Sequence, residues 1–295
     1  MTSNYASVLC ITGAALALAA CGTKPLVISV GSKNTTEQMI LGEIFAAQLE
    51  KQLQGVKIER KLGMGNTMLL QGSLQSSAID LYAEDTGTAL GMILKETPPL
   101  DESIAFGRMQ AEYKRLFQMT VLNPLGFHQK FVIVSQATAA PGVKVDNLTA
   151  AGASKHAWTL GAAADFISRR DTFTALTSKY RISLRDSPQA MEPAALYEAL
   201  RDHKIELAAG FSNDAWVDQP GFLALKDDQE IFAPHAVCII VRNQALTAQP
   251  GLQRALEALS GKLTDAIIHK LNQEVDLKHR AASDVAKEFL TSAGL

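Results

Sequence analysis

The sequence has few of the residues that mark several classes of protein. Only three of its 295 residues are cysteine, and its formal net charge is −2. Three cysteines cannot build a disulfide framework, and scattered charges of both signs give no footprint for nucleic acid. After residue 25 there is also no apolar run long enough to cross a bilayer. We therefore expect small or neutral partners and no nucleic acid.

The motifs of common enzyme classes are missing as well. The chain has no G-x-S-x-G, no G-x-x-x-x-G-K-[ST] and no H-E-x-x-H, and "GMGNT" at 63–67 is not a dinucleotide fingerprint. No two histidines stand four residues apart, and none of His128, His156, His203, His269 and His279 has a cysteine nearby. We therefore expect no metal site and no cofactor, and binding in preference to catalysis.

The amino terminus indicates where the protein is located. The apolar run "ITGAALALAA" at 11–20 has the length of a signal peptide, and "LAAC" at 18–21 resembles a bacterial lipobox. This pattern predicts a lipoprotein signal peptide over 1–20, a lipid anchor on Cys21 and a periplasmic or other extracytoplasmic location. The absence of Lys and Arg from 1–10 leaves a plain secretory signal or a mis-assigned start as alternatives. Cys238, in "AVCIIV", is expected to be a small buried hydrophobe.

Beyond residue 25, short apolar runs alternate with segments of helical periodicity. The run "LVISVG" at 26–31 is typical of a strand buried on both faces of a parallel sheet. The next segment, 34–55, carries one apolar helical stripe, and Thr35 and Gln38 have capping-box spacing. Strand, helix and strand follow again over 56–90. Such units predict an α/β fold with parallel sheets.

Polar residues gather where the predicted strands end. The segments 32–36, 63–67 and 84–88 each follow a strand and precede a helix, and the last begins with the adjacent acids Glu84 and Asp85. Because ligands collect at the carboxyl ends of parallel strands, we expect the three segments to line one edge of a common cleft.

A second region repeats the pattern and then returns to the first. Strand-like runs occur in 130–134, 156–166 and 204–216, and the run at 234–246 is typical of a returning strand before two C-terminal helices. One domain interrupted by another, with two chain crossings, predicts two lobes joined by a hinge. We expect 26–130 with 236–295 to form one lobe and 131–235 to form the other.

Several blocks of the chain, taken together and in order, resemble one family. They are "VGSKNTTEQMILGEI", "GMGNT", "IDLYAEDTGTAL", "NPLGFHQKFVIV", "ADFISRRD", "GFSND", "FAPHAV" and "VDLKHRAASDVAKEFL". The sequence is similar to the substrate-binding proteins of osmoprotectant ABC importers of the glycine betaine and choline type. The resemblance implies a type II periplasmic-binding-protein fold of Venus-flytrap form, which binds a small solute between its lobes and delivers it to ABC permease subunits.

The resemblance also implies site residues. In this family a box of aromatic rings holds the quaternary ammonium by cation–π attraction, and polar groups of both lobes hold the carboxylate. Lys33 and Thr88 match carboxylate contacts of the first lobe, and Arg169 matches the arginine of the second, with Arg170 as the neighbouring choice. Positions where the family commonly has tyrosines carry two phenylalanines, an acid and a histidine in this chain: Phe131, Phe211, Asp85 and His235.

The residues matched to the carboxylate and the rings also have structural interpretations. Lys33 and Arg169 are alternatively surface charges, and Thr88 is alternatively a helix cap. Phe131 and Phe211 are alternatively core residues, because aromatic side chains at strand ends usually pack inside.

The acid, the histidine and the two tryptophans have structural interpretations too. Asp85 is alternatively a cap for the helix that follows it, and His235 is alternatively an exposed histidine. Trp158 and Trp216 are expected to be core residues. Of the two tryptophans, Trp216 is the better candidate for a replacement ring.

The ligand itself stays open at this point. An acid in the box favours a cation that donates N–H bonds, such as an amine or guanidinium, but it also neutralises a quaternary ammonium by charge alone. An enzyme or a ligand sensor on the same fold are the alternatives to a transport protein. We expect a monomer that binds betaine, choline or a related amine.

Overall fold

The computed structural model describes residues 26–137 and 145–295. The expected signal peptide over 1–20 and the lipidation of Cys21 lie outside the described residues. Within the described part, no helix has the length and apolar character needed to span a membrane.

The described chain forms two β-sheets surrounded by helices. The strands are β1 (Leu26–Gly31), β2 (Val56–Lys61), β3 (Leu81–Asp85), β4 (Met119–Val121), β5 (His128–Gln129), β6 (Phe131–Gln136), β7 (Leu160–Ala162), β8 (Gln189–Ala190), β9 (Leu207–Phe211), β10 (Phe222–Leu225) and β11 (His235–Arg242). The helices are α1 (Thr36–Gln52), α2 (Thr67–Gln75), α3 (Thr86–Thr88), α4 (Glu102–Glu112), α5 (Leu148–Ala153), α6 (Ala164–Ser168), α7 (Ala175–Tyr180), α8 (Pro193–Arg201), α9 (Asn243–Ala248), α10 (Gly251–Glu257), α11 (Asp265–Asp276) and α12 (Ala282–Ser292). Three π-helical segments, Ala89–Ile93, Tyr113–Phe117 and Arg170–Thr174, extend or precede helices.

The first sheet has the strand order β2-β1-β3-β11-β4, and β5 pairs with the start of β11. Strands β1, β2 and β3 are parallel, as the alternation of strand and helix predicts. Strand β11 runs antiparallel to β3, β4 and β5. Seven of its eight residues are buried, which explains why its apolar run resembles a strand of a parallel sheet. Its direction was not predicted; it enters the sheet from the second region.

The second sheet has the strand order β10-β6-β9-β7-β8. Strands β9, β7 and β8 are parallel, whereas β6 runs antiparallel to both β9 and β10. We call the elements packed on the first sheet the first lobe and those packed on the second sheet the second lobe. The chain passes between the lobes at β5 and β6 and again just before β11, where His235 pairs with Gln129. The mixed α/β fold with two sheets agrees with the predicted bilobed class.

Each lobe has apolar clusters that pack against its sheet. Helix α1 illustrates how the sequence builds them: the Thr35 side chain caps the helix by accepting a hydrogen bond from the Gln38 N–H, and Ile40 and Phe45 are fully buried. Cys238 is also fully buried, as expected for a small hydrophobe. Helix α12 packs against α1. The C-terminal region contains two helices beyond the two predicted, α12 and the short α9, which begins where the predicted strand run was expected to continue.

Candidate functional site

The cleft between the lobes contains two adjacent cavities of about 360 Å³ each. Each volume alone is in the range of a small-molecule site, roughly 300 to 1,000 Å³. Both cavities have walls from both lobes, and they share Asn34, Phe131 and Phe211. We call the one lined by Lys33 the first cavity and the one lined by Trp216 the second cavity.

The first cavity brings together four of the seven ligand contacts predicted from the sequence. Lys33 and Thr88 line it from the first lobe, and Phe131 and Phe211 line it from the second. The remaining three line neither cavity: Asp85, Arg169 and His235. They contact the residues of these walls instead.

Lys33 is held by a buried acid. Its Nζ lies 2.5 Å from Oε1 of Glu84, a fully buried residue whose other oxygen accepts a hydrogen bond from the Thr67 hydroxyl at 3.2 Å. Burial raises the pKa of Glu84 to about 7, although Lys33 opposes this. Burial also opposes the charge of Lys33, but Glu84 and Asp85 outweigh it and raise the pKa of the ammonium. Lys33 is therefore charged and already has a carboxyl partner within the protein.

Asp85 caps the short helix that follows it. Its Oδ1 accepts a hydrogen bond from the Thr88 N–H at 2.7 Å, and the residue is 3% exposed. Burial would raise its pKa, but Lys33 and Arg169, together with His235 when it is protonated, hold the pKa below its usual value. The carboxylate is thus ionised and surrounded by groups of the protein, in the arrangement of a helix cap.

Arg169 joins the two lobes. Its Nη1 donates to the Thr88 hydroxyl at 2.8 Å, and its Nε donates to Asp171 at 3.0 Å. Its Cζ lies 5.5 Å from the centre of the Phe131 ring, within cation–π distance. Arg169 is buried and the neighbouring Arg170 is exposed, so Arg169 is the arginine that reaches the cleft wall.

The two predicted rings stack on each other. Phe131 and Phe211 pair across β6 and β9, and their ring centres are 4.5 Å apart. Phe131 also packs edge-on against Phe166 of the second-lobe core, with ring centres 5.1 Å apart. Because both rings also line the first cavity, they serve as packing residues and as cleft walls at once.

His235 is buried, so the interpretation of an exposed histidine is wrong. It is 8% exposed, and burial lowers its pKa. Its ring packs against Gly87, where an added Cβ would lie 2.2 Å from a ring atom. Glycine at position 87 thus leaves the space that the His235 ring occupies.

Polar groups that were not singled out from the sequence also line the cleft. The Asn34 side-chain amide donates to Glu192 of the second lobe at 2.5 Å, next to the first cavity. Gln129 donates to Glu37 at 2.6 Å beside the second cavity, and burial raises the pKa of Glu37 to about 8. The position of Asn34 and Glu37 near the start of a helix after a strand was a weak indication of a site in the sequence. Their partners, Glu192 and Gln129, lie far away along the chain and could not be predicted.

Comparison with known proteins places this architecture in a family. Residues 27–292 match the family described as "Substrate binding domain of ABC-type glycine betaine transport system". The ergothioneine transport permease/ergothioneine binding protein of Helicobacter pylori (strain G27) is 31% identical over 273 residues, which are 92% of this chain and 48% of that protein. The chain therefore spans about half the length of this relative.

Further relatives match over most of their length. The carnitine transport binding protein of Listeria monocytogenes is 26% identical over 271 residues, covering 91% of this chain and 87% of that protein. The crystal structure of a glycine betaine/carnitine/choline ABC transporter superposes with a TM-score of 0.71 at 23% identity, covering 90% of this chain and 98% of that one. The resemblance inferred from the sequence is thereby confirmed: the chain belongs to the family of substrate-binding domains of ABC-type glycine betaine transport systems.

Proposed function

We propose that the protein is the extracytoplasmic solute-binding component of an ABC importer, which binds a betaine, choline or related amine between its lobes and delivers it to permease subunits. The observation that carries the proposal is that both cavities have walls from both lobes. A solute held in this way contacts the two lobes together only when the cleft is closed, so binding favours closure.

Contacts across the cleft support such closure. Arg169 of the second lobe donates to Thr88 of the first, and Asn213 of the second lobe donates to the His128 carbonyl at 2.8 Å. Asn272 of α11 in turn donates to the Asn213 carbonyl at 2.7 Å. We propose that the lobes comprise 26–130 with 236–295 and 131–235, and that they move about the two adjacent crossings.

The proposed contacts divide into direct and supporting groups. The direct contacts come from four residues that line the first cavity: Lys33, Thr88, Phe131 and Phe211. The Lys33 ammonium and the Thr88 hydroxyl bind the carboxylate of the solute. Three residues support them. Arg169 orients the Thr88 hydroxyl, Asp85 caps the helix that carries Thr88, and His235 packs against Gly87 in the same helix.

The family relationship extends the proposal beyond the described residues. Solute-binding proteins of ABC importers work outside the cytoplasm. A lipid anchor on Cys21 would keep this one near its permease. We propose that the protein is a monomer. Intact-mass measurement of the protein from a bacterial membrane fraction tests the anchor: a mass that includes diacylglyceryl on a chain beginning at Cys21 is expected, and an unmodified chain would contradict it.

Thermal-shift and calorimetric titration with glycine betaine, choline, carnitine and ergothioneine test the solute. We expect saturable binding of at least one, and a stabilisation of about 2.7 kcal/mol when the solute is present at roughly 100 times its dissociation constant. The proposal fails if the protein binds no member of this set, or if it converts one of them chemically.

A further inference from the structure

Four carboxylates line the second cavity, and none of them forms an ion pair within the described chain: Glu37, Glu198, Asp214 and Asp276. Glu198 is exposed, and burial raises the pKa of Glu37 to about 8, so Glu37 is mostly neutral near pH 7. The other two acids of this cavity are partly buried.

Asp214 lines the second cavity from the second lobe and Asp276, at the end of α11, lines it from the first. Burial raises the pKa of Asp214 to about 6, and the negative charge of Asp276 adds to the rise. His269 and His279 lower the pKa values of Asp214 and Asp276, respectively, but burial outweighs both histidines. Closing the cleft therefore brings two like charges towards each other.

Asp214 and Asp276 each keep one oxygen without a protein partner. Asp214 accepts hydrogen bonds from the Tyr197 hydroxyl at 2.7 Å and the Phe211 N–H at 2.8 Å, both on Oδ2. Asp276 accepts from the Thr36 hydroxyl at 2.6 Å on Oδ1. No group in 26–137 or 145–295 donates to the remaining oxygens, Oδ1 of Asp214 and Oδ2 of Asp276.

Aromatic side chains form the wall beside these acids. Trp216 and Tyr197 stack with their ring centres 6.4 Å apart, and both line the second cavity together with Phe211. Ring faces and carboxylates attract an organic cation by different means, the first by cation–π attraction and the second by charge. The basic groups on the rim, Arg201 and His279, are both exposed, and Arg201 lies 3.9 Å from Asp202.

We propose that the second cavity is the subsite for the positively charged nitrogen of the solute, held between Asp214, Asp276 and Trp216. The inference rests on the proposed solute-binding function and assigns its cation a position away from Asp85. An organic cation fits better than a metal ion, because no three acidic, histidine or cysteine side chains of the described residues are placed to hold a metal together. By neutralising one acid from each lobe, the cation removes the repulsion that opposes closure.

A solute that uses both cavities has its carboxylate in the first and its charged nitrogen in the second. Lys33 and the capped amino end of α2 stand at the first cavity, where they suit a carboxylate. The amino end of α1 lies beside both cavities, and Asp214 and Asp276 line only the second. The expected class is thus a zwitterion whose carboxylate and charged nitrogen are separated by a spacer. L-carnitine has this form and serves as the probe.

The test measures carnitine binding by calorimetry with three variants. Asp276→Asn keeps an oxygen for the Thr36 hydroxyl but removes the charge, and we expect it to weaken carnitine binding about tenfold. Trp216→Leu is expected to weaken it about threefold to tenfold. Glu274→Gln is the matched control: it lies on the same helix and pairs with Lys278 and Arg280 away from the cavity, so it should leave the affinity unchanged.

A second readout locates the cation directly and does not need carnitine to bind. The chain has two tryptophans, and Trp158 is fully buried in the second-lobe core. In ¹⁵N-labelled protein, tetramethylammonium chloride should shift the Trp216 indole N–H signal saturably and leave that of Trp158 in place, with sodium chloride at equal ionic strength as the control. The response should be lost in Asp276→Asn.

The outcomes separate the two proposals. One outcome is that carnitine fails to bind while tetramethylammonium shifts the Trp216 indole N–H signal in the wild-type protein and not in Asp276→Asn. That result supports the cation subsite and rules out carnitine as the solute. If carnitine binds equally to the wild-type protein and to Asp276→Asn, the solute-binding function stands and the subsite is overturned. A Trp216 signal that responds to neither cation also overturns it.

Discussion

Two groups of charged side chains lie beside the cleft; the first has counter-ions within the protein, and the second forms no ion pair within the described chain. In one group, Glu84 and Asp85 are buried next to Lys33 and Arg169, and each acid has a basic neighbour. We call these four residues the paired cluster. Across the second cavity, Asp214 and Asp276 form no ion pair within the described chain; we call them the open acids.

The difference separates charges that the protein itself neutralises, including Lys33 at the wall of the first cavity, from charges for which we propose a ligand as the partner. A buried ion pair loses its hydration in the folded state, so removal of one partner leaves an uncompensated charge and costs much of the protein's stability. Two acids that share a cavity instead weaken the closed state until a cation arrives. The comparison therefore predicts large stability effects in the paired cluster and small ones at the open acids, where affinity should change instead.

The largest expected effect is on Lys33. Lys33→Met leaves Glu84 buried without its counter-ion, and we expect the free energy of unfolding to fall by about 3 to 5 kcal/mol in denaturant titrations at pH 8. The loss should shrink at pH 5, because the Glu84 pKa of about 7 lets this acid become neutral there. Lys57→Met, which breaks an exposed pair with Glu59, is the control and should cost less than about 1 kcal/mol. Equal losses in the two variants would contradict the paired cluster.

Glu37 lines the second cavity, and its pKa responds to both Lys33 and Asp214, so its effect on stability should depend on pH. Burial raises its pKa from 4.5 to about 8, so the folded protein binds a proton that the unfolded chain has released, and stability falls as pH rises through this window. Glu37→Gln can still accept the hydrogen bond of Gln129 and cannot ionise. We expect it to exceed the wild type by on the order of 2 to 4 kcal/mol at pH 9 and to match it at pH 4. Parallel stability curves for the two proteins from pH 4 to 9 would refute the shift.

The sequence predicted the parts of this comparison that depend on neighbours along the chain. Strands β1 to β3 and helix α1 follow from hydrophobic periodicity and from the Thr35 cap, and the bilobed class followed from the returning strand at 234–246. Asp85 could be given two roles from its position alone, and the structure displays the cap. The family resemblance, in turn, named four residues that the fold brings to the first cavity.

The open acids could not be predicted in the same way. Asp214 follows a strand of the second lobe and Asp276 ends a helix of the first, and nothing in the local pattern around either indicates that they line the same cavity. Their relation depends on how the lobes close, which involves contacts between segments distant in sequence. The antiparallel entry of β11 was missed for the same reason, since its direction depends on the path through the second lobe.

Asp85 should show an intermediate effect. Asp85→Asn keeps an oxygen for the Thr88 N–H but removes a charge that Lys33 and Arg169 stabilise, and we expect a loss of about 1 to 2 kcal/mol at pH 7. Because the pKa of Asp85 is lowered on folding, its contribution is present above the ordinary value of 3.8 and disappears as the pH falls below it. Asp101→Asn, an exposed helix cap on α4, is the control. A deficit that persists unchanged at pH 2 to 3 would argue that the charge of Asp85 contributes nothing.

The smallest expected effect on stability is at the open acids, and its sign matters more than its size. Asp276→Asn keeps an oxygen for the Thr36 hydroxyl and ends the repulsion of Asp214, so without solute we expect the free energy of unfolding to rise by about 0.5 kcal/mol or stay unchanged. Burial raises the pKa of Asp276, which likewise means that its charged form is disfavoured in the folded protein. Denaturant titration at pH 7, with Glu274→Gln as the control on the same helix, measures the difference. A fall of more than about 1 kcal/mol would show that Asp276 is held by a favourable charge interaction, as in the paired cluster, and the distinction between the two groups would then fail.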